Sequence, residues 1–205
     1  MCNLYSMTTA QAAMRAVFPK LLDETGNLAS GDIYPDNPAP VILRRNGDLV
    51  MKKMRWGMPT PPKYLEGKNH DRGVTNVRNT SSQHWRRWMG PQSRCVVPFN
   101  AFSEFQRGHG LRWFALSTER PMAFFAGIWT NWTSVRKVKE GEVTTDIFAF
   151  LTTDANVVVA PFHPKAMPVI LTSTAQVDQW LNLPSQEALR LQRPLDDDNL
   201  VLLDD

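Results

Sequence analysis

The sequence predicts a single α+β domain built on a mainly antiparallel sheet with flanking helices. Three observations carry this. Runs rich in β-branched and aromatic residues recur through the chain, bounded by Gly, Pro or charged turns. Asn46-Gly47, a pair that tolerates the positive φ angles of a tight hairpin, separates two apolar runs. Helical spacing of apolar residues is confined to a few short segments.

Taken in order, Thr8 to Phe18 places Ala10, Ala13, Met14, Val17 and Phe18 at helical spacing behind the capping candidates Thr8 and Thr9. Gly31 to Pro40 reads as a Gly, Asp and Pro-rich loop. Val41-Ile42-Leu43 and Leu49-Val50-Met51 form the predicted hairpin, and Pro59-Thr60-Pro61-Pro62 after Trp56-Gly57 reads as a second loop. Ser82 to Met89 predicts a short helix with Trp85, Trp88 and Met89 on one face and Arg86 and Arg87 on the other. Arg94 to Pro98, Leu111 to Leu116, Met122 to Trp129, Ile147 to Thr152 and Val169 to Thr172 read as strands. Helices near Thr174 to Leu181 and Ser185 to Leu191 follow, and an acidic tail spans about 195–205. Trp85, Trp88, Trp113, Trp129 and Trp180 are expected in the core.

Composition narrows the functional classes. A chain of 205 residues with 42% hydrophobic content can bury one substantial core. No apolar run approaches the roughly 18–20 residues of a membrane span. No leader-like apolar stretch follows Met1-Cys2-Asn3-Leu4-Tyr5, so the cytosol is the expected compartment; a monomer is the expected state, although no feature of the sequence sets it. The four histidines are dispersed and no Cys-x-x-Cys or His-x-x-x-His spacing occurs, so neither a metal nor a cofactor is expected. The net charge of +3 hides an asymmetry: the acidic tail leaves a more basic body, which suits a nucleic-acid partner.

Two cysteines give no disulfide framework, and Cys2 is the informative one. Methionine is commonly trimmed before a small second residue, which would leave Cys2 as a 1,2-aminothiol. The reference pKa values, about 7.7–8.0 for an α-amine and about 8.5 for a thiol, put both nucleophiles in play near neutrality. Aldehydes are the natural target: the amine condenses to an imine and the thiol closes a five-membered thiazolidine within the same residue.

The order of several motifs along nearly the whole chain is similar to that of the SOS-response-associated peptidase (SRAP) family of abasic-site processing proteins. The motifs are Met1-Cys2, Trp56-Gly57, Asn76-Val77-Arg78, Arg94-Cys95-Val96-Val97-Pro98 leading to Phe102-Ser103-Glu104-Phe105, and His163 before Met167-Pro168-Val169-Ile170-Leu171. The resemblance implies a β-barrel-like sheet, covalent capture of abasic sites in single-stranded DNA, and autoproteolytic exposure of the cysteine. It also implies Cys2 as nucleophile with Asn76, Glu104 and His163 as catalytic partners. Their chemistry suits the reaction: Glu104, between Phe102 and Phe105, as a proton donor of raised pKa, His163 as a proton shuttle, and Asn76 as a neutral amide holding the amine or a substrate oxygen.

DNA contacts follow from charge and flat rings. Arg78 is the first candidate, two residues from Asn76 and so on its face if the segment is extended. Arg86, Arg87 and Lys165 come next, with Trp56 to stack or wedge against a base. The chain departs from the family's usual Cys-Gly-Arg at Cys2-Asn3-Leu4 and from Asn-Ala-Arg-x-Glu at Asn76-Val77-Arg78-Asn79-Thr80. It also has Ser103 where an aromatic is usual, and Asp36-Asn37-Pro38-Ala39-Pro40 in place of Asn-x-Ala-Pro. Two other readings stay open on the residues alone: a cysteine peptidase or amidase, and a non-catalytic single-strand binding module.

Overall fold

The computed structural model describes residues 2–203. Among the described residues, fourteen strands and four α-helices follow one another. The first part holds β1 (Leu4–Met7), α1 (Gln11–Val17), β2 (Leu22–Asp23), β3 (Gly31–Ile33), β4 (Pro38–Arg45), β5 (Asp48–Trp56), β6 (Asn76–Val77) and α2 (Gln83–Arg86). Next come β7 (Arg94–Phe99), β8 (Ala101–Gln106), β9 (Gly110–Ala115), β10 (Ala123–Val135), β11 (Glu142–Thr153), β12 (Met167–Pro168) and β13 (Ile170–Leu171). The chain ends on α3 (Thr174–Asn182), α4 (Ser185–Ala188) and β14 (Val201–Leu202).

The hairpin is the architectural seed. Asn46 and Gly47 take φ of 54° and 91°, both positive as a two-residue hairpin turn requires, and register eight pairs between β4 and β5. Antiparallel pairing then runs β5-β4-β7-β10-β11, and parallel pairing of β11 with β5 (Ile147↔Arg55, Phe148↔Trp56) closes a five-stranded mixed barrel. The barrel is thus mainly antiparallel, as expected, with one parallel seam that an odd number of alternating strands makes unavoidable. A second sheet, in the order β14-β9-β8-β1-β3, is antiparallel throughout.

Aromatic rings join the two layers. Tyr5 on β1 meets Trp56 edge-on at 5.2 Å and Phe125 at 5.6 Å, while Phe99 stacks on Phe125 at 3.8 Å. Trp85, Trp88 and Trp180 are buried as expected, whereas Trp113 and Trp129 are only half-buried. No described helix is long and apolar enough to cross a membrane.

Four local expectations need correction. Gly31 to Pro40 contains β3 and the start of β4; Pro38 and Pro40 are tolerated because β7 pairs with β4 only at Ile42 and Leu43, leaving one side of the strand without a ladder. Thr8 and Thr9 do not cap α1; their backbone N–H groups donate to Asn100 Oδ1 at 2.7 and 3.1 Å, so the helix starts later. The Ser185 to Leu191 helix is α only to Ala188 and continues as a 3₁₀ turn over Leu189–Leu191. Within the acidic tail, Val201 and Leu202 pair with Ala115 and Phe114 and Leu203 is buried, so apolar positions dock a segment read only for its charge. Asp204 and Asp205 lie outside the described residues.

Candidate active site

The site begins where the second sheet meets the barrel. Cys2 lies just ahead of β1, Glu104 sits on β8 beside it, and Asn76 sits on β6, which the barrel strand β11 holds by parallel pairing (Asn76↔Phe150). His163 follows a turn in which its N–H donates to Val159 O at 2.9 Å. Four residues far apart in sequence thus converge through strand pairing and one turn.

Cys2 is fully buried. Its thiol donates to the carbonyl of Leu4 at 3.4 Å, an oxygen that also accepts from Ser103 Oγ at 3.2 Å. Burial, reinforced by the nearby Glu104 carboxylate, pushes the thiol well above its ordinary pKa. This corrects the expectation of a thiol that ionises freely near neutrality: here the resting group is SH. The Cys2 carbonyl accepts from Asn76 Nδ2 at 2.7 Å, and the same amide nitrogen donates to Thr75 Oγ1 at 2.8 Å. Asn76 Oδ1 is buried and, among the described residues, has no hydrogen-bond partner. Leaving such an acceptor dry costs about 1–3 kcal/mol, which marks it as a group waiting for a donor.

Glu104 is 2% exposed. Burial raises its pKa, and the neighbouring His163 is among the groups that draw the value partly back. The apolar cover is not the one expected: Phe102 is buried with the core, but Phe105 is 66% exposed and faces Leu111, 42% exposed, across the β8–β9 pair. His163 Nδ1 is held by the carbonyl of Ala166 at 2.8 Å, which in the neutral ring puts the proton on Nδ1 and leaves Nε2 as the basic nitrogen. The cluster therefore pairs a buried acid with a base beside a nucleophile-bearing residue, which suits proton transfer in and out of a carbonyl addition.

The expected DNA contacts divide. Arg78 is exposed, donates to Lys165 O at 3.2 Å and pairs with the exposed Asp154, so it lies beside the site with its charge already engaged. β6 ends at Val77, so the extended segment expected to carry Asn76 and Arg78 on one face stops short of Arg78; Asn76 is buried and Arg78 is at the surface. Lys165, Arg86 and Arg87 are exposed, and Arg87 lies over the Trp88 ring at 4.0 Å. Trp56 cannot stack on a base: it is fully buried, packed against Tyr5, Phe148 and Phe150, with Nε1 donating to Thr75 O at 3.0 Å. An exposed groove of about 710 Å³ between the 61–64 turn and α2, lined by Lys63, Tyr64, Asn79, Gln83, His84 and Arg87 among others, adds to the expected Arg87 the cation Lys63 and the ring Tyr64, neither singled out in the sequence. Phe105, read from the sequence only as apolar cover for Glu104, is instead an exposed ring. Among the described residues no cluster of three or more His, Cys, Asp or Glu side chains could hold a metal.

The family model described as SOS response associated peptidase (SRAP) matches residues 1–204. A solved structure of a Bacteroides thetaiotaomicron protein is similar over 100% of this chain and 93% of its own, with 20% identity and a TM-score of 0.77. A Bordetella bronchiseptica protein is similar over 99% and 100%, with 22% identity and a TM-score of 0.76. A phage-related protein from Bordetella bronchiseptica covers 98% and 93% at 16% identity and a TM-score of 0.68. These likenesses concern the fold. No curated protein is a significant sequence match.

Proposed function

Because the chain belongs to the SOS response associated peptidase family, we propose that it acts in the response to DNA damage by capturing abasic sites in single-stranded DNA covalently through Cys2. Membership supports the damage-linked role; the chemistry is argued from the site. The observation that carries it is the seating of Cys2, fully buried with its thiol donating to Leu4 O at 3.4 Å and its carbonyl held by Asn76 Nδ2 at 2.7 Å. A cysteine peptidase works through a thiolate of lowered pKa. Here burial and Glu104 push the thiol the other way, so an amine-first reaction fits better than thiolate attack on a peptide.

The atoms balance without an oxidant. Loss of Met1 gives Cys2 a free α-amine, which adds to the aldehyde carbon of the ring-opened sugar. Protonation of the resulting hydroxyl lets it leave as water and gives an iminium; Glu104, whose pKa burial raises, is placed to supply that proton. The thiol then adds to the same carbon, its proton passing through the Glu104–His163 pair, and a neutral thiazolidine results. One C–N and one C–S bond form, and one water is lost.

Arg78, Lys165, Arg86 and Arg87 supply cations for phosphates, with Phe105 and Tyr64 as exposed rings for bases. Intact-mass measurement after mixing with abasic single-stranded DNA tests the reading: the expected product is protein without Met1 plus DNA less one water, stable without reductant. An unmodified protein, or one that cleaves peptides with repeated turnover instead, overturns it.

A further inference from the structure

Thr75 connects three parts of the molecule that the sequence keeps apart. Its carbonyl is pinned by Nε1 of the fully buried Trp56 at 3.0 Å. Its hydroxyl donates to Asn3 Oδ1 at 2.9 Å and accepts from Asn76 Nδ2 at 2.8 Å. Asn76 Nδ2 spends its other proton on the Cys2 carbonyl at 2.7 Å. The chain of bonds runs from the barrel core to the residues on either side of the Cys2–Asn3 peptide.

A hydroxyl carries one proton, and Thr75 spends it on Asn3, so toward Asn76 it can only accept. That fixes which end of the Asn76 amide faces Thr75 and Cys2: the nitrogen, with both protons used, leaving Oδ1 as the atom without a bond among the described residues. The reversed amide would set oxygen against the Cys2 carbonyl with no proton between them. We propose that Thr75 and Asn3 are positioning residues for the capture step, a latch that fixes the orientation of Asn76 and the seating of Cys2; this rests on the capture reading of the site. Asn3 is exposed and acts through Thr75, so its contribution has nothing to do with covering the core.

The test is single-turnover adduct formation with an abasic single strand, read as a maximal rate and a half-saturating DNA concentration. Thr75→Val, nearly isosteric, is expected to lower the maximal rate about tenfold with half-saturation unchanged, and Thr75→Ser to restore it to within about twofold. Asn3→Ala is expected to slow the reaction about threefold alone and to add nothing in the Thr75→Val background. Wild-type rates in both Thr75→Val and Asn3→Ala, or Thr75→Ser as slow as Thr75→Val, overturn the latch. If Thr75→Val does not fold, Asn3→Ala decides alone, since its site is at the surface. Exchange of the Asn76 side-chain amide protons, followed by NMR without DNA, separates the two proposals: it is expected to quicken in Asn3→Ala. Unchanged exchange defeats the latch whatever the protein does with DNA, and quickened exchange in a protein that forms no adduct defeats only the capture reading.

Discussion

Asn76 Nδ2 lies 2.7 Å from the carbonyl oxygen of Cys2, so a barrel-held amide grips the residue proposed to react. The grip is supported from behind. The segment leading to Asn76 passes Gly73 and Val74, where Val74 and Met58 exchange backbone hydrogen bonds at 2.8 and 3.0 Å. The guanidinium of Arg136 is inserted there, donating to Gly57 O at 2.8 Å and Arg72 O at 3.0 Å. Gly57 and Gly73 are required by this approach: a Cβ at either would stand 2.3 or 2.4 Å from a guanidinium nitrogen. Precision at Cys2 thus begins at a buried cation on the far side of the Met58–Val74 bridge.

Glu104→Gln is expected to trade stability against reaction. Burial raises the native pKa of Glu104, so between its ordinary value near 4.5 and that raised value the native state binds the proton more tightly than the unfolded chain. Stability is therefore full below about 4.5 and falls as pH rises through the native pKa. The glutamine variant lacks this decline and is expected to melt higher than wild type at pH 8, by about 2–4 °C for each kcal/mol relieved. Its adduct formation is expected to slow by about 10²-fold through loss of the proton donor. Melting curves at pH 5 and 8 with single-turnover rates check both; equal melting at the two pH values in wild type would contradict a buried, proton-hungry carboxyl.

Which parts were legible in the sequence follows from how local their causes are. The Asn46-Gly47 hairpin, strand β7, the barrel halves of β10 and β11 and the helical turn at Trp85 rest on patterns within about ten residues and were readable, whereas the extensions of β10 past Trp129 and of β11 before Ile147 were not. The closing parallel seam and the short strands β1, β6 and β14 exist only through pairing with distant partners, so Leu4–Met7 and Asn76–Val77 carried no visible period. At the site, residue types could be nominated, but not burial. Trp56 looked available to a base and is in the core, while the Cys2 thiol looked free to ionise and is held as SH by its surroundings. Thr75 had no signature at all, because a threonine hydroxyl matters only through the two atoms bonded to it, Asn3 Oδ1 and Asn76 Nδ2.

Arg78→Ala is expected to weaken single-stranded DNA binding across sequences and to lower the log–log salt slope by about 0.7, the value of one phosphate contact. The ion pair with Asp154 adds a second expectation. Asp154→Asn releases the guanidinium and removes a negative charge beside the strand, so affinity should rise while the slope is kept or increased. Binding measured from 50 to 200 mM salt checks both; an Asp154→Asn protein that binds more weakly would place Arg78 in a structural role.

Asp36→Asn isolates the charge that anchors Arg136. Burial pushes the Asp36 carboxyl up, but hydrogen bonds from Arg55 and Lys137 and the charges of Arg55 and Arg136 overcome it and hold the pKa at about 2. Its stabilisation is fully present above the ordinary value of 3.8 and is lost as pH falls through about 2. The substitution keeps the shape and the positive φ of 69°, which asparagine also adopts, and is expected to cost about 1.5–3 kcal/mol at pH 7. That penalty should shrink between pH 4 and 2. Urea midpoints across this range provide the check, and a penalty independent of pH would mean that packing, not charge, holds Arg136.

The two cysteines are expected to behave differently because, in the proposed capture, loss of Met1 gives an α-amine to Cys2 alone. Cys2→Ser keeps the α-amine, so it should still form an imine with an abasic aldehyde, but its hydroxyl cannot close the sulfur ring. The adduct should be lost on heating unless borohydride reduces the imine, and the lingering imine should promote β-elimination of the strand. Cys95 is fully buried on β7, and its Sγ stands 3.0 Å from where a Cβ on Gly127 would lie, so it is a packing group in the barrel wall. Cys95→Ser is therefore expected to give the wild-type, heat-resistant adduct, with a lower melting temperature as its only change. Denaturing gels of wild type and both variants with abasic and intact strands, with and without borohydride, read all of these outcomes. A durable, reductant-independent adduct from Cys2→Ser would mean that the carbon–sulfur bond is not what makes capture last.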